Sequence, residues 1–155
     1  MALWLGTVDN VFWSYFNEEL TTDDWDRYLA YFENFLKLCS DDAIRIIFTY
    51  NAQIPHATQR QELAEVFKRQ QENTHKLIAS AFITNLSTNK GANTAIDWLV
   101  KKPFLEKTFE IPVDGFAWLE STKTSFDRQR ILTEIRKRVG SSIWPELAEQ
   151  VRNAG

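Results

Sequence analysis

The residues best suited to meet a ligand lie in one polar loop, Ser87-Thr88-Asn89-Lys90-Gly91. The loop follows an apolar run of strand length and opens a helical stretch. Backbone N–H groups at that helix start, with the Lys90 ammonium beside them, could receive an anion. It matches neither glycine-rich phosphate motif, and a polar helix-capping loop is the plainer account. Asn51, Gln53 and His56 stand at the end of the neighbouring predicted strand and would line the same crevice. These residues together mark the face where a function is expected.

Other chemistry finds less support. Cys39 falls on the apolar face of a predicted helix, where a small inert thiol is usual. His56 and His75 have no cysteine or carboxylate at ligand spacing nearby, so neither a metal nor another cofactor is expected. No serine sits on a glycine-flanked turn of the kind a nucleophile needs. Asp23, Asp24 and Asp26 read as a solvated first helical turn rather than a cation site. Trp25, Trp98 and Trp118 fall on apolar helical faces, which favours core packing over base or sugar stacking. No acid, base and nucleophile can be assembled from neighbouring loops, so an enzyme is not expected.

The elements that must position these residues alternate. Apolar runs at 43–50 and 77–83 read as strands, the second apolar on both faces and therefore central. Helical stretches at 22–39, 58–72 and 92–101 separate them. The opening segment reads as a hairpin turning at Asp9-Asn10 into the aromatic strand Val11 to Phe16. In the first helix Thr22 is the expected cap, and Trp25, Tyr28, Leu29, Phe32, Phe35, Leu36 and Cys39 share one stripe; Tyr31 and Leu38 lie just off it. Thr58 with Gln61 reads as a capping box for the second helix. Pro103 ends the third helix, 104–111 reads as an edge strand, and Asp114 is the expected cap of a short helix carrying Phe116, Trp118 and Leu119. A helix from Ser125 carries Ile131, Leu132, Ile135 and Val139 and stops at Gly140; Pro145 starts a last one with Leu147, Ala148 and Val151. The pattern predicts an α/β fold with a single mostly parallel sheet and flanking helices. The units expected are an α/β domain over 1–120 and a helical C-terminal extension over 121–155, packed on or near it.

With 155 residues, 44% hydrophobic and 25% charged, the chain has enough apolar side chain for a core. Its single cysteine excludes an intrachain disulfide, and a cytoplasmic location is expected because no cleavable apolar leader is seen. No apolar run reaches the roughly 20 residues of a membrane span. The formal net charge is −3, yet its distribution is uneven. Residues 1–42 hold nine acidic against two basic groups, a net of −7, and residues 121–139 hold six basic against two acidic, a net of +4. Arg128, Arg130, Arg136, Lys137 and Arg138 supply most of the latter. In an acidic chain they suit a solvated face or a protein contact better than nucleic acid. They would also meet favourable potential at the acidic first helix, within one chain or between two copies, so a homo-oligomer is one outcome.

Read in order, the elements run strand, strand, helix, strand, helix, strand, helix, strand, helix. With the opening LWLGTVDNVFWSYFNEELTTDDWDRYL, the aromatic-faced first helix and the Gln59-Arg60 pair, the chain resembles the STAS domain of bacterial anti-sigma-factor antagonists over about 1–120. The resemblance is to the looser STAS-like branch related to lipid-binding CRAL-TRIO domains. It implies a non-enzymatic regulatory or scaffolding domain working through protein contacts around 51–62, where Thr58 and Arg60 lie. The antagonists carry a phosphorylatable Ser or Thr, often after Asp, at the start of the helix following the third strand. Here the stretch reads TYNAQIPHATQRQEL, lacks Asp-Ser, and offers Thr58 as the nearest hydroxyl. The alternative is a small-molecule or lipid-binding module using the crevice between 51–56 and 84–91.

Overall fold

The computed structural model describes residues 2–97, 99–122 and 125–154, with the side chains of all but 92, 93 and 151–154. Trp98 and the side chain of Val151, both expected to face a core, lie outside the described residues.

The β1 (Leu3–Val8) and β2 (Val11–Asn17) strands form an antiparallel hairpin, and β3 (Ala43–Tyr50), β4 (Leu77–Thr84) and β5 (Leu105–Phe109) join it in parallel. The sheet therefore runs β1-β2-β3-β4-β5, with β3 and β4 as parallel inner neighbours and β5 at an edge, as the patterning predicts. At the hairpin turn Asp9 takes φ 53°, the left-handed conformation that two-residue turns require.

One face of the sheet is covered by α1 (Thr22–Leu38), α2 (Ala57–Arg69), the single turn α3 (Gln71–Thr74) and α4 (Ala92–Asp97). The other is covered by α5 (Pro112–Ser121), α6 (Arg128–Val139) and α7 (Pro145–Ala154). Trp25, Tyr28, Phe32, Phe35 and Leu36 of α1 are buried, while Tyr31 and Leu38, off the stripe, are exposed. Ile46, Phe48 and Phe82 are buried as expected. Ile78 is only half-buried, because the register shifts between Ala43 and Ile44 and leaves Ile78 unpaired in a bulge. Ile131, Leu132, Ile135 and Val139 of α6 pack beside Trp13, Ile44 and Ile46, so the residues after 120 complete the second face of the same sheet. The close approach of α5 to β4 depends on Gly115, where a Cβ would lie 2.7 Å from Ile83 Cδ1.

Four helix starts differ from the sequence expectation. The cap of α1 is Thr21, not Thr22: its Oγ1 accepts from Asp24 N at 3.1 Å. The box Thr58 with Gln61 does not form, because α2 begins two residues earlier. His56 is its cap residue and donates its N–H to Gln59 Oε1 at 2.7 Å. Asp114 lies in the first turn of α5, whose cap is Ile111 with Pro112 leading the helix. The C-terminal basic helix starts at Arg128, capped by Asp127 through Arg130 N at 3.1 Å, rather than at Ser125. In each case a polar residue one to three positions away offers a competing frame, and tertiary packing selects between them. The α2 stretch also ends at Arg69 and α4 at Asp97, both short of the predicted limits.

Candidate functional site

Because β3 and β4 are parallel neighbours, the loops leaving their C-terminal ends emerge side by side, where ligands meet α/β sheets. The two loops are stitched together by Asn89. Its buried Nδ2 donates to Ala52 O at 2.7 Å and lies 3.1 and 3.2 Å from Thr84 Oγ1 and Thr49 Oγ1, while its Oδ1 accepts from Ile54 N at 3.3 Å. Thr84 ends β4 and Thr49 stands one residue before the end of β3, both buried, so one amide closes both loops against the sheet. A second tie is reciprocal. Asn51 N donates to Asn85 Oδ1 at 2.9 Å, and Asn85 Nδ2 donates to Asn51 Oδ1 at 2.8 Å. Asn51 takes φ 59°, which asparagine tolerates better than most residues.

The structure thus brings the predicted residues to one end of the sheet and gives them different roles. Asn51 and Asn89 are structural ties, and Asn89 fills the space between the loops. Gln53, Thr58 and Ser87 are exposed. His56 is exposed and its Nε2 lies 3.3 Å from Glu19 Oε2, in the β2–α1 connection. Arg60 donates from Nη1 to Pro55 O at 3.1 Å, bracing the loop from the first turn of α2. Lys90 is ion-paired with Glu110.

Elsewhere, Cys39 ends α1 half-buried instead of lying inside its stripe, and burial raises its thiol pKa. Three of the five basic residues of α6 are engaged within the chain. Arg128 pairs with Glu120, Arg130 Nη1 lies 2.7 Å from Asp9 Oδ2, and Arg138 sits 5.3 Å above the Trp13 ring. Among the described residues no helix is long and apolar enough to cross a membrane.

Sequence reasoning missed a charged cluster under α1 and α2. Arg45 stands in a run of apolar residues on β3 and its side chain is 1% exposed. Its row across the sheet is Phe12, Arg45, Ser80 and Glu106. Arg45 Nε donates to Ser80 Oγ at 3.0 Å, and Nη2 lies 3.5 Å from Glu106 Oε2. The same carboxylate oxygen accepts from Lys102 Nζ at 3.1 Å, and Lys102 reaches Asp97 at 2.9 Å. Aromatic rings enclose the guanidinium, with Phe32, Phe67 and Phe104 centroids 4.7, 5.4 and 5.9 Å away. Glu106 lies on the edge strand β5, yet its side chain is only 6% exposed. The available signal was Arg45 itself: a charge between Ile44 and Ile46 must find a partner when its strand is central.

One side of Arg45 faces a narrow recess of about 20 Å³, walled by Trp25, Ile47, Ile54, Leu63 and Phe82. Two buried donors at its border, Arg45 Nη1 and Trp25 Nε1, have no hydrogen-bond partner among the described residues, nor has the buried Glu106 Oε1. Tyr28, fully buried beside them, has its phenol pKa raised by burial, against the opposing pull of Arg45.

No protein-family model matches this chain. No curated protein matches it either. Among solved structures it is similar to the crystal structure of an uncharacterized protein of the DUF3478 family, described as having a SpoIIAA-like fold, from Shewanella loihica. The identity is 15% and the TM-score 0.49, over 76% of this chain and 92% of that one. The sheet of this chain is an antiparallel hairpin extended by three parallel strands, with the crossover helices on one face.

Proposed function

We propose that this chain is a non-enzymatic regulatory or scaffolding domain that acts through protein contacts made by the loop and helix start at 51–62. The observation that carries this reading is the Asn89 tie. It closes the space between the two loops and leaves Gln53, His56, Thr58 and Ser87 on a braced, solvent-facing surface. Such a surface is ordered before a partner arrives, which lowers the entropy cost of association. Thr58 is exposed one residue inside the start of α2, where an added phosphoryl group would meet unpaired helix N–H groups and change the charge offered to a partner. The alternative, a small-molecule or lipid module in the crevice between the loops, has less room, since Asn89 occupies that space.

The test is capture of partners from the native source on immobilised wild-type chain, Thr58→Ala and Thr58→Glu, with Lys137→Glu on the opposite face as a control. Selective loss or gain with the Thr58 variants is the expected outcome. Equal recovery from all four would remove the switch.

A further inference from the structure

We propose that this chain forms a twofold dimer through β5, the outer edges of two copies pairing antiparallel about position 108 and joining both sheets into one. The contact is independent of the surface at 51–62.

The two edges of the sheet are unlike. Along β1 the chain covers its own edge: Leu3 and Leu5 are buried, and Leu3 O accepts from Arg27 Nη2 at 3.3 Å. Along β5, among the described residues, no strand pairs with the outer side, and large apolar side chains stand in solvent. Leu105 is 60% exposed and Ile111 44%, with Val113 close behind in the chain at 40%. An unpaired edge that carries apolar side chains is a template for another strand.

The spacing says which strand. Leu105 and Phe109 lie on the α5 side of the sheet, paired with Ala79 and Ile83. Ile111 is still extended, at φ −117° and ψ 124°, so it continues the same alternation. Leu105 and Ile111 are equally far from position 108. With the twofold axis there, Leu105 of each copy meets Ile111 of the other, and each covers what its own chain leaves exposed. Lys107 meets Phe109 of the second copy, adding to the contact its Nζ already makes 5.6 Å from its own Phe109 ring centre. An axis at 107 would oppose two lysines, and one at 109 would set each Lys107 against Ile111. An axis between residues would oppose unlike faces. Glu106 meets Glu110 in the favoured register, and both charges are answered within their own chain. Arg45 and Lys102 pair with Glu106, and Lys90 pairs with Glu110. Pro103 and Pro112 bracket the stretch and confine pairing to the residues between them. A strand that complements itself in this way fits a second copy of the same chain.

The experiment follows the full chain by sedimentation velocity across the micromolar range. A concentration-dependent monomer–dimer equilibrium is the expected result. Leu105→Glu and Ile111→Lys change exposed side chains, so circular dichroism should stay unaltered. Each alone should raise the dimer dissociation constant on the order of a hundredfold, because each occurs twice in the contact. Combined in one chain they set Glu opposite Lys across the axis and should recover most of that loss. Thr108→Cys, in a Cys39→Ser background, should form a disulfide between copies on mild oxidation, whereas Leu105→Cys in that background should not. A monomer at every concentration overturns the proposal and leaves Lys107 as a guard against edge pairing. A dimer untouched by either single substitution also overturns it, as does a double variant no better than the singles or a Thr108→Cys chain that does not cross-link.

Discussion

On the face covered by α5, α6 and α7, the inner strands present Trp13, Tyr15, Ile44, Ile46, Phe48, Ala79, Ala81 and Ile83. On the face covered by α1 and α2, the same strands present Ser14, Arg45, Thr49, Ser80 and Thr84 among Phe12, Phe16, Ile47 and Phe82, every one of them buried. Alternation along a strand is all that separates the two sets. The first face is an apolar layer whose stability should follow the area it removes from water. The second mixes aromatic packing with a charged row, and there stability should depend on whether each polar group keeps its partner. Asn89 with its loops and Arg45 with its partners both belong to the mixed face.

The largest effect should come from uncovering the apolar face. A chain ended at residue 120 loses Ile131, Leu132, Ile135, Val139, Trp144 and Leu147, each buried. At about 1.5–3 kcal/mol per side chain this is on the order of 10 kcal/mol, comparable to a whole domain's stability. The expected outcome is a non-cooperative, dye-binding state by circular dichroism and ANS fluorescence. A cooperative melt of the shortened chain would show that 1–120 is self-sufficient and that the two faces are not equally needed.

Pairing on the mixed face comes next. Glu106→Ala strands Arg45 in an aromatic cage and should cost about 3–5 kcal/mol in urea unfolding. Arg45→Met combined with Glu106→Leu removes both members of the pair and should cost less than the single change. If the double variant is the less stable, the row is held by more than pairing. Asn89→Ala should cost about 1–3 kcal/mol, since it leaves Ile54 N–H and Ala52 C=O without their buried partner. Amide exchange should quicken across 51–56 and leave β3 and β4 protected.

The smallest effects separate two threonines. Thr21→Ala removes a capping bond and should cost about 1 kcal/mol. Thr58→Ala touches an exposed side chain and should stay within about 0.5 kcal/mol. Equal costs in chemical denaturation would mean that Thr58 supports the start of α2 after all, and would weaken its reading as a contact residue.

How much of this was legible beforehand differs by scale. Strand positions followed from local apolar runs, and the β3–β4 pairing followed from two such runs joined by a helix, the crossover that parallel neighbours need. Caps were misplaced because Thr21 and Thr22, or His56 and Thr58, are near-equivalent starts whose selection depends on where the preceding chain enters. The crevice residues were found as a group, since the ends of parallel strands meet at one edge. Their division into ties and exposed contacts was hidden, because it turns on the direction of the Asn89 side chain.

The sequence by itself determined the alternation that makes an α/β sheet, the amphipathic stripe of α1, the hairpin at Asp9-Asn10 and the uneven charge, because each is a property of near neighbours along the chain. Only the tertiary structure decided that Arg45 of β3, Ser80 of β4 and Glu106 of β5 form one row, with Lys102 closing it. The same holds for α6, whose apolar stripe could have met a second copy and instead seals the far side of its own sheet. The physical reason is common to both. Register across strands, and the face a late helix selects, are set by burial and pairing between residues tens of positions apart, which no local pattern encodes.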